Sequence, residues 1–257
     1  MQAVSLPATA GLQWIINGWT LFKRQPMALF SWAMFITLIL IFATLTAPLG
    51  PLLFIVLMPT VTLITLSITR HVHDGQRLMP TMWIEPLKQP GLFRKLFVLG
   101  LLYVGICLGL GFLVFLPFAG DIGRSMQILA ETQDLAPLIQ TLRTPMLLFA
   151  VLYFILAALF WYSPILIGWH AMPVMKALFF SAIACWRNKW AFVVYGLAWF
   201  AIFYGMDLFV AAFVAMGLPL DFAAALQLPL NVLIGSVLYA SFYPTYKQVF
   251  ESVQATQ

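Results

Sequence analysis

Residues 27–47 read MALFSWAMFITLILIFATLTA and residues 52–69 read LLFIVLMPTVTLITLSIT, with only the turn Pro48-Leu49-Gly50-Pro51 between them and no Lys, Arg, Asp or Glu in either run. At about 1.5 Å per residue the first run is about 30 Å long as a helix, the thickness of a bilayer's hydrocarbon core. A membrane β-barrel would show strands of about ten residues alternating apolar and polar. These runs are apolar on every side, and a helix is then the way their backbone satisfies itself in lipid. The pair reads as a transmembrane hairpin whose Pro- and Gly-rich turn keeps the helices antiparallel neighbours.

Four further runs of similar length follow, Leu96–Leu116, Met146–Ile167, Ala191–Met216 and Phe222–Tyr243. None contains Lys or Arg, and only Asp207 is an acid well inside one. The composition agrees: of 257 residues 63% are hydrophobic and 8% charged, where soluble domains have about 25% charged. A soluble globule, a disordered chain and a fibrous repeat are excluded. The expected fold is an all-α membrane protein, one polytopic unit over 1–257 with six transmembrane helices in three pairs. The first 22 residues carry no cationic side chain, and the first run is long enough to span, so an uncleaved helix is expected rather than a secretory signal.

Charge gives the threading. Lys23, Arg24, Arg70, Arg77, Lys88, Arg94, Lys95, Lys176, Arg187, Lys189 and Lys247 fall on one side of the spans, against Arg124 and Arg143 on the other. The positive-inside rule then places both termini in the cytoplasm of a bacterial inner-membrane protein. The basic residues lie in short clusters between apolar runs rather than in one patch, so a nucleic-acid partner is not expected. Cys107 and Cys185 are too few for a disulfide framework and are expected reduced.

A pattern recurs before each hairpin. A segment mixing apolar and polar residues closes on an aromatic beside cations: Phe22-Lys23-Arg24, Phe93-Arg94-Lys95 and Trp186-Arg187-Asn188-Lys189. In the second helix of each hairpin a proline follows, Pro59, Pro164 and Pro244. The lead-in segments, about 8–24, 80–94 and 173–188, are expected to be amphipathic helices in the interface. In the first, Leu12, Ile15, Ile16, Trp19 and Phe22 recur at helical spacing. That face would meet acyl chains, with Trp19, Lys23, Arg24, Arg94, Lys95, Trp186, Arg187 and Lys189 at the headgroups.

The stretch Gly18-Trp19-Thr20-Leu21-Phe22-Lys23-Arg24-Gln25-Pro26, the pair Asp74-Gly75 and the run from Ala177-Leu178 through Ser181 to Asn188 resemble an uncharacterised family of six-helix bacterial inner-membrane proteins. That family sits near the YciC-like proteins and the membrane domain attached to some glycerophosphodiester phosphodiesterases. The resemblance covers nearly the whole chain and implies a six-helix inner-membrane protein with no established activity. The phosphodiesterase catalytic domain is absent, so that activity is not carried over.

Within the membrane, Asp207 has two readings: a structural or interfacial role near the outer headgroups, or a candidate polar site in the bundle interior with Tyr204 or Asn231 as partner. Thr62, Thr65 and Thr69 share one face of the second span after Pro59, where they could satisfy a freed carbonyl, pack helices closely or line a polar pathway. The prolines could open a central cavity. Gly105 with Gly109, and Ala201 with Gly205, are expected to pack within the chain. His71, His73 and Asp74 diverge along a helix and read as a hydrated turn rather than a metal site. Ile122, Met126 and Leu129, in the outer connection from Pro117 to Pro145, predict a short amphipathic helix. No HExxH, P-loop or GxSxG motif occurs, so neither catalytic residues nor a cofactor are expected. The leading expectation is a non-enzymatic protein acting through lipid or protein contacts in the cell envelope, with anionic lipids as partners. The second is a small transporter or channel using Asp207 and the Thr face.

Overall fold

In a computed structural model, which describes residues 3–251, every regular element is helical. They are α1 (Ala10–Arg24), α2 (Pro26–Leu45), α3 (Leu49–His73), a 3₁₀ segment Pro80–Lys88, α4 (Leu92–Phe115), α5 (Ala119–Thr132), α6 (Ala136–Phe160), α7 (Ser163–His170), α8 (Val174–Arg187), α9 (Lys189–Ala215) and α10 (Leu220–Tyr246), which runs on as a π turn Lys247–Glu251. Six stretches are long and apolar enough to span a membrane, one each in α2, α3, α9 and α10, one beginning with α4 and one formed by α6 with α7. The hairpins are α2/α3, α4/α6–α7 and α9/α10.

The proline repeat marks the centre of the molecule. Each pair's proline-bearing second helix turns inward, and the stretches after Pro59, Pro164 and Pro244 meet there. Leu63, Ile68 and Val72 of α3, Ile165, Leu166 and Ile167 of α7, and Tyr246 of α10 are among the fully buried side chains. In α2 and α4 the buried residues, Leu29 to Ile36 and Leu92 to Gly100, also lie in the half toward the basic end. The core therefore occupies that half, and the far halves present Phe42, Leu45, Phe112, Phe154 and Phe213 outward, as lipid-facing helices do.

Close approach depends on glycines that the sequence does not distinguish from their neighbours. A Cβ on Gly100 would stand 1.8 Å from the Val56 carbonyl oxygen, so α4 crosses α3 backbone to backbone. On α1, a Cβ on Gly18 would meet Ser241 of α10 at 2.5 Å, and one on Gly11 would meet the Ala191 carbonyl of α9 at 2.3 Å. Gly105, Gly109 and Gly205 have nothing within 4 Å. The expectation that these last pack within the chain is corrected: they lie on outward faces, where glycine merely leaves a groove.

Lead-in segments dock in a cyclic order. α1, leading the first pair, packs on α9 and α10 of the third. α8, leading the third, packs on α6 and α7 of the second. The Pro80–Lys88 segment, leading the second, packs on α3, and its Trp83 meets Trp32 and Phe35 of α2 with ring centroids 5.1 and 5.7 Å away. This middle segment departs from the amphipathic α-helix expected over 80–94. Pro80 and Pro86 restrict it to 3₁₀ turns, Pro90-Gly91 breaks the chain, and Arg94 and Lys95 belong to the first turn of α4.

The fourth span is interrupted at Trp161-Tyr162, where α6 gives way to α7. Ser181 of α8 fills the gap: its hydroxyl accepts from the Tyr162 N–H at 2.9 Å and donates to the Ala158 carbonyl at 2.9 Å. Those two backbone groups would pair directly in a continuous helix, so the hydroxyl is inserted into the ladder. On the far side, α5 forms where an amphipathic helix was expected. The connection is shorter than Pro117–Pro145, because α6 starts at Ala136 and takes Pro145 inside it.

Candidate functional site

The two α-helical lead-ins have a small or buried face toward the bundle and an apolar face away from it. α1 buries Gly11, Trp14, Gly18, Leu21 and Phe22 and exposes Leu12, Ile16 and Trp19. α8 buries Ala177, Leu178, Ser181, Ala184 and Cys185 and exposes Met175, Phe179 and Trp186. At the end of each, a lysine lies over the outward indole: Lys23 Nζ is 5.9 Å from the Trp19 ring centroid and Lys189 Nζ is 4.4 Å from that of Trp186. Both pairs are exposed, as are Arg94, Lys95 and Arg187. Arg24 is used differently from the expectation. Its Nη1 donates to the His73 carbonyl at 2.9 Å, capping the negative end of α3 rather than reaching freely to headgroups.

Amides lock the lead-ins to their surroundings. Gln25, between α1 and α2, donates to the Gln76 carbonyl at 2.6 Å and accepts from the Leu78 N–H at 2.9 Å. Asn188, between α8 and α9, is buried; it donates to the Val4 and Ala184 carbonyls and accepts from the Leu6 N–H. Burial pushes the neighbouring Cys185 thiol up to about 12, only partly opposed by a hydrogen bond with Ser181. It is a protonated core thiol rather than a nucleophile.

Where a third docked helix would sit, the proline-bound Pro80–Lys88 segment leaves a cavity of about 360 Å³ at the basic end. Leu63 of α3, Leu92 of α4 and Gly168 of α7 form its apolar side; Ser67 adds a hydroxyl, and Arg70, His71, Asp74 and Glu85 bring charge to it. Asp74-Gly75 ends α3 in a Schellman turn, with Gly75 at φ 76, its N–H on the Val72 carbonyl and the Gln76 N–H on the His71 carbonyl. The cavity lies to the side of α3 and not on the bundle axis, where the proline kinks could have opened one. The axis is filled by the apolar stretches after the prolines.

The intramembrane candidates are not brought together. Thr65 and Thr69 are buried in the basic half of α3, and Thr62 is half-buried. Each donates to a carbonyl of its own helix, those of Met58 for Thr62, Val61 for Thr65 and Thr65 for Thr69, and Thr65 accepts from Trp32 Nε1 at 2.9 Å. The carbonyl that Pro59 frees, Ile55, is not among these acceptors. Asp207 sits in the other half of the bundle, eight residues before the end of α9 at Ala215. It is exposed, and its partner is Gln227 of α10, whose Nε2 donates to Oδ1 at 3.1 Å. Of the two readings of Asp207, the interior one with Tyr204 or Asn231 as partner is corrected: Tyr204 is exposed and stacked on Phe200, and Asn231 is half-buried without a bond to Asp207. No trio of metal-ligating side chains occurs among the described residues. His71 turns to Gln76 and Glu85, and His73 to Asp74 and Lys247.

Sequence reasoning missed what Ser181 does, the burial of Trp14 against Phe192 and Tyr195 of α9, and the charged cavity. The signal for the cavity was present in Pro80, Pro86 and Pro90, which separate the second lead-in from the other two.

No family model matches the chain, and no solved structure does. A probable inner membrane protein of Burkholderia thailandensis is 32% identical over 260 residues, covering 97% of this chain and 94% of the relative. Nothing in these comparisons supports a link to the YciC-like proteins or the phosphodiesterase membrane domain. With six apolar spans in an all-helical fold and this likeness along nearly its whole length, the chain is an integral membrane protein and belongs to the family of that probable inner membrane protein.

Proposed function

We propose that the chain is a non-enzymatic, multi-pass protein of the bacterial inner membrane, with both ends in the cytoplasm, that acts in the cell envelope by binding phospholipid headgroups at its basic end. The observation that carries this reading is the pair of outward devices on α1 and α8, each an exposed tryptophan under a lysine beside exposed apolar side chains. Aromatic rings with cations are placed this way at a headgroup layer. The eleven cations of that end, against Arg124 and Arg143 at the other, favour the anionic cytoplasmic leaflet.

Each exposed cation near an anionic surface contributes about 1 kcal/mol. The double variant Lys23→Gln/Lys189→Gln is therefore expected to lose about 2 kcal/mol of preference for anionic over neutral lipid, roughly 30-fold. Quantifying lipids co-purified from mixed nanodiscs measures it. An unchanged anionic fraction would remove this reading.

A further inference from the structure

We propose that the cavity beside α3 holds the zwitterionic headgroup of phosphatidylethanolamine, its phosphate on Arg70 and its ammonium on Glu85. This rests on the lipid reading above and adds a headgroup class and a site to it. The cavity's volume of about 360 Å³ lies within the range of small-molecule sites. Its side formed by Leu63, Leu92 and Gly168 is apolar and its rim is charged, which suits an amphiphile better than a freely soluble ion.

Charge selects the headgroup. Arg70 is held with its guanidinium 4.8 Å from the Trp169 ring centroid. Its ion pair with Asp74 is long, at 3.9 Å, so N–H groups remain for a phosphate, which guanidinium recognises by forked hydrogen bonds. Two carboxylates face the same space: Asp74, and Glu85, which is 57% exposed and 3.5 Å from His71 Nε2. An anionic headgroup such as phosphatidylglycerol offers these carboxylates only neutral hydroxyl donors and sets a net negative charge beside them. An ammonium beside its phosphate supplies N–H donors to a carboxylate. A trimethylammonium has no such donors and needs free aromatic faces, and the Trp169 ring is already engaged by Arg70. Gln89 also lines the cavity.

The test is native mass spectrometry of the full chain released from nanodiscs holding equimolar phosphatidylethanolamine, phosphatidylcholine and phosphatidylglycerol with identical acyl chains. One phosphatidylethanolamine per chain is expected to be retained preferentially. Glu85→Gln, an isosteric change at an exposed position, is expected to cut the ethanolamine-to-glycerol ratio about tenfold, the loss of one charge-assisted contact. Arg70→Gln is expected to lower retention of all three lipids, with melting temperatures confirming that both variants fold. Equal retention of the three lipids, or a ratio unmoved by Glu85→Gln, would overturn the proposal. So would displacement of the lipid by millimolar glycerophosphoethanolamine, which would identify a soluble ligand instead. Lys23→Gln/Lys189→Gln is expected to leave this retention intact while reducing anionic lipid, so a failure of the surface reading shows separately from a failure of the cavity; loss of phosphatidylethanolamine in that variant would count against the cavity.

Discussion

Gly100→Ala is expected to lower the stability of the bundle by about 3 kcal/mol or more, read as a fall in melting temperature in mild detergent and in the yield of monodisperse protein. The new methyl would stand 1.8 Å from the Val56 oxygen, 2.6 Å from its carbonyl carbon and 2.9 Å from its Cα. All three are backbone atoms of α3, so no side chain can rotate aside and the helices must part. Gly105→Ala and Gly109→Ala are the controls. They lie on the same helix with nothing within 4 Å, and replacing glycine there is expected to be neutral or to stabilise by about 0.5–1 kcal/mol through helix propensity. Equal effects at the three positions would show that α3 and α4 do not cross as described.

Ser181→Ala is expected to destabilise by about 2–3 kcal/mol, because a buried donor loses a partner worth about 1–3 kcal/mol and a part-buried acceptor loses a smaller one. The Tyr162 N–H and the Ala158 carbonyl are held apart at the break between α6 and α7, and Ser181 itself is fully buried. Tyr162 is itself fully buried, so its N–H has no water to turn to. Ser31→Ala is the matched control, since Ser31 is exposed and its hydroxyl only bonds the Met27 carbonyl of its own helix at 2.8 Å. An SDS unfolding titration compares the two. A cost at Ser181 no larger than at Ser31 would mean that the break is held by packing alone.

Much of the architecture was legible because lipid imposes it. Length without charge gives the spans, and the prolines at 59, 164 and 244 mark the three inward-turned helices. The lipid-facing side of α1 was legible only in part: Leu12, Ile16 and Trp19 face outward, but Phe22, read onto the same face, is buried in the bundle and Ile15 packs against the core. What could not be read is azimuth within a span that is apolar all round. In α9 the buried residues Tyr195, Trp199 and Val210 lie among equally apolar exposed ones such as Leu197, Phe200 and Leu208, so nothing in the pattern places Asp207 outside the contact face. The same blindness misassigned the glycines: Gly100 and Gly105 differ only in what stands opposite. Ser181 was hidden for another reason. Its role depends on a break in α6, twenty residues away, and no local pattern pairs a serine with a distant carbonyl.

The proposed orientation, with the basic end in the cytoplasm, is tested by single-cysteine labelling in intact spheroplasts. Glu131→Cys, on α5, and Arg77→Cys, in the turn after α3, place exposed thiols at opposite ends. Buried Cys185, with its thiol pushed up to about 12, stays silent, and Cys107 is changed to alanine. An impermeant maleimide is expected to label Glu131→Cys at once and Arg77→Cys only after lysis; immediate labelling of Arg77→Cys with Glu131→Cys protected would place the basic end outside the cytoplasm.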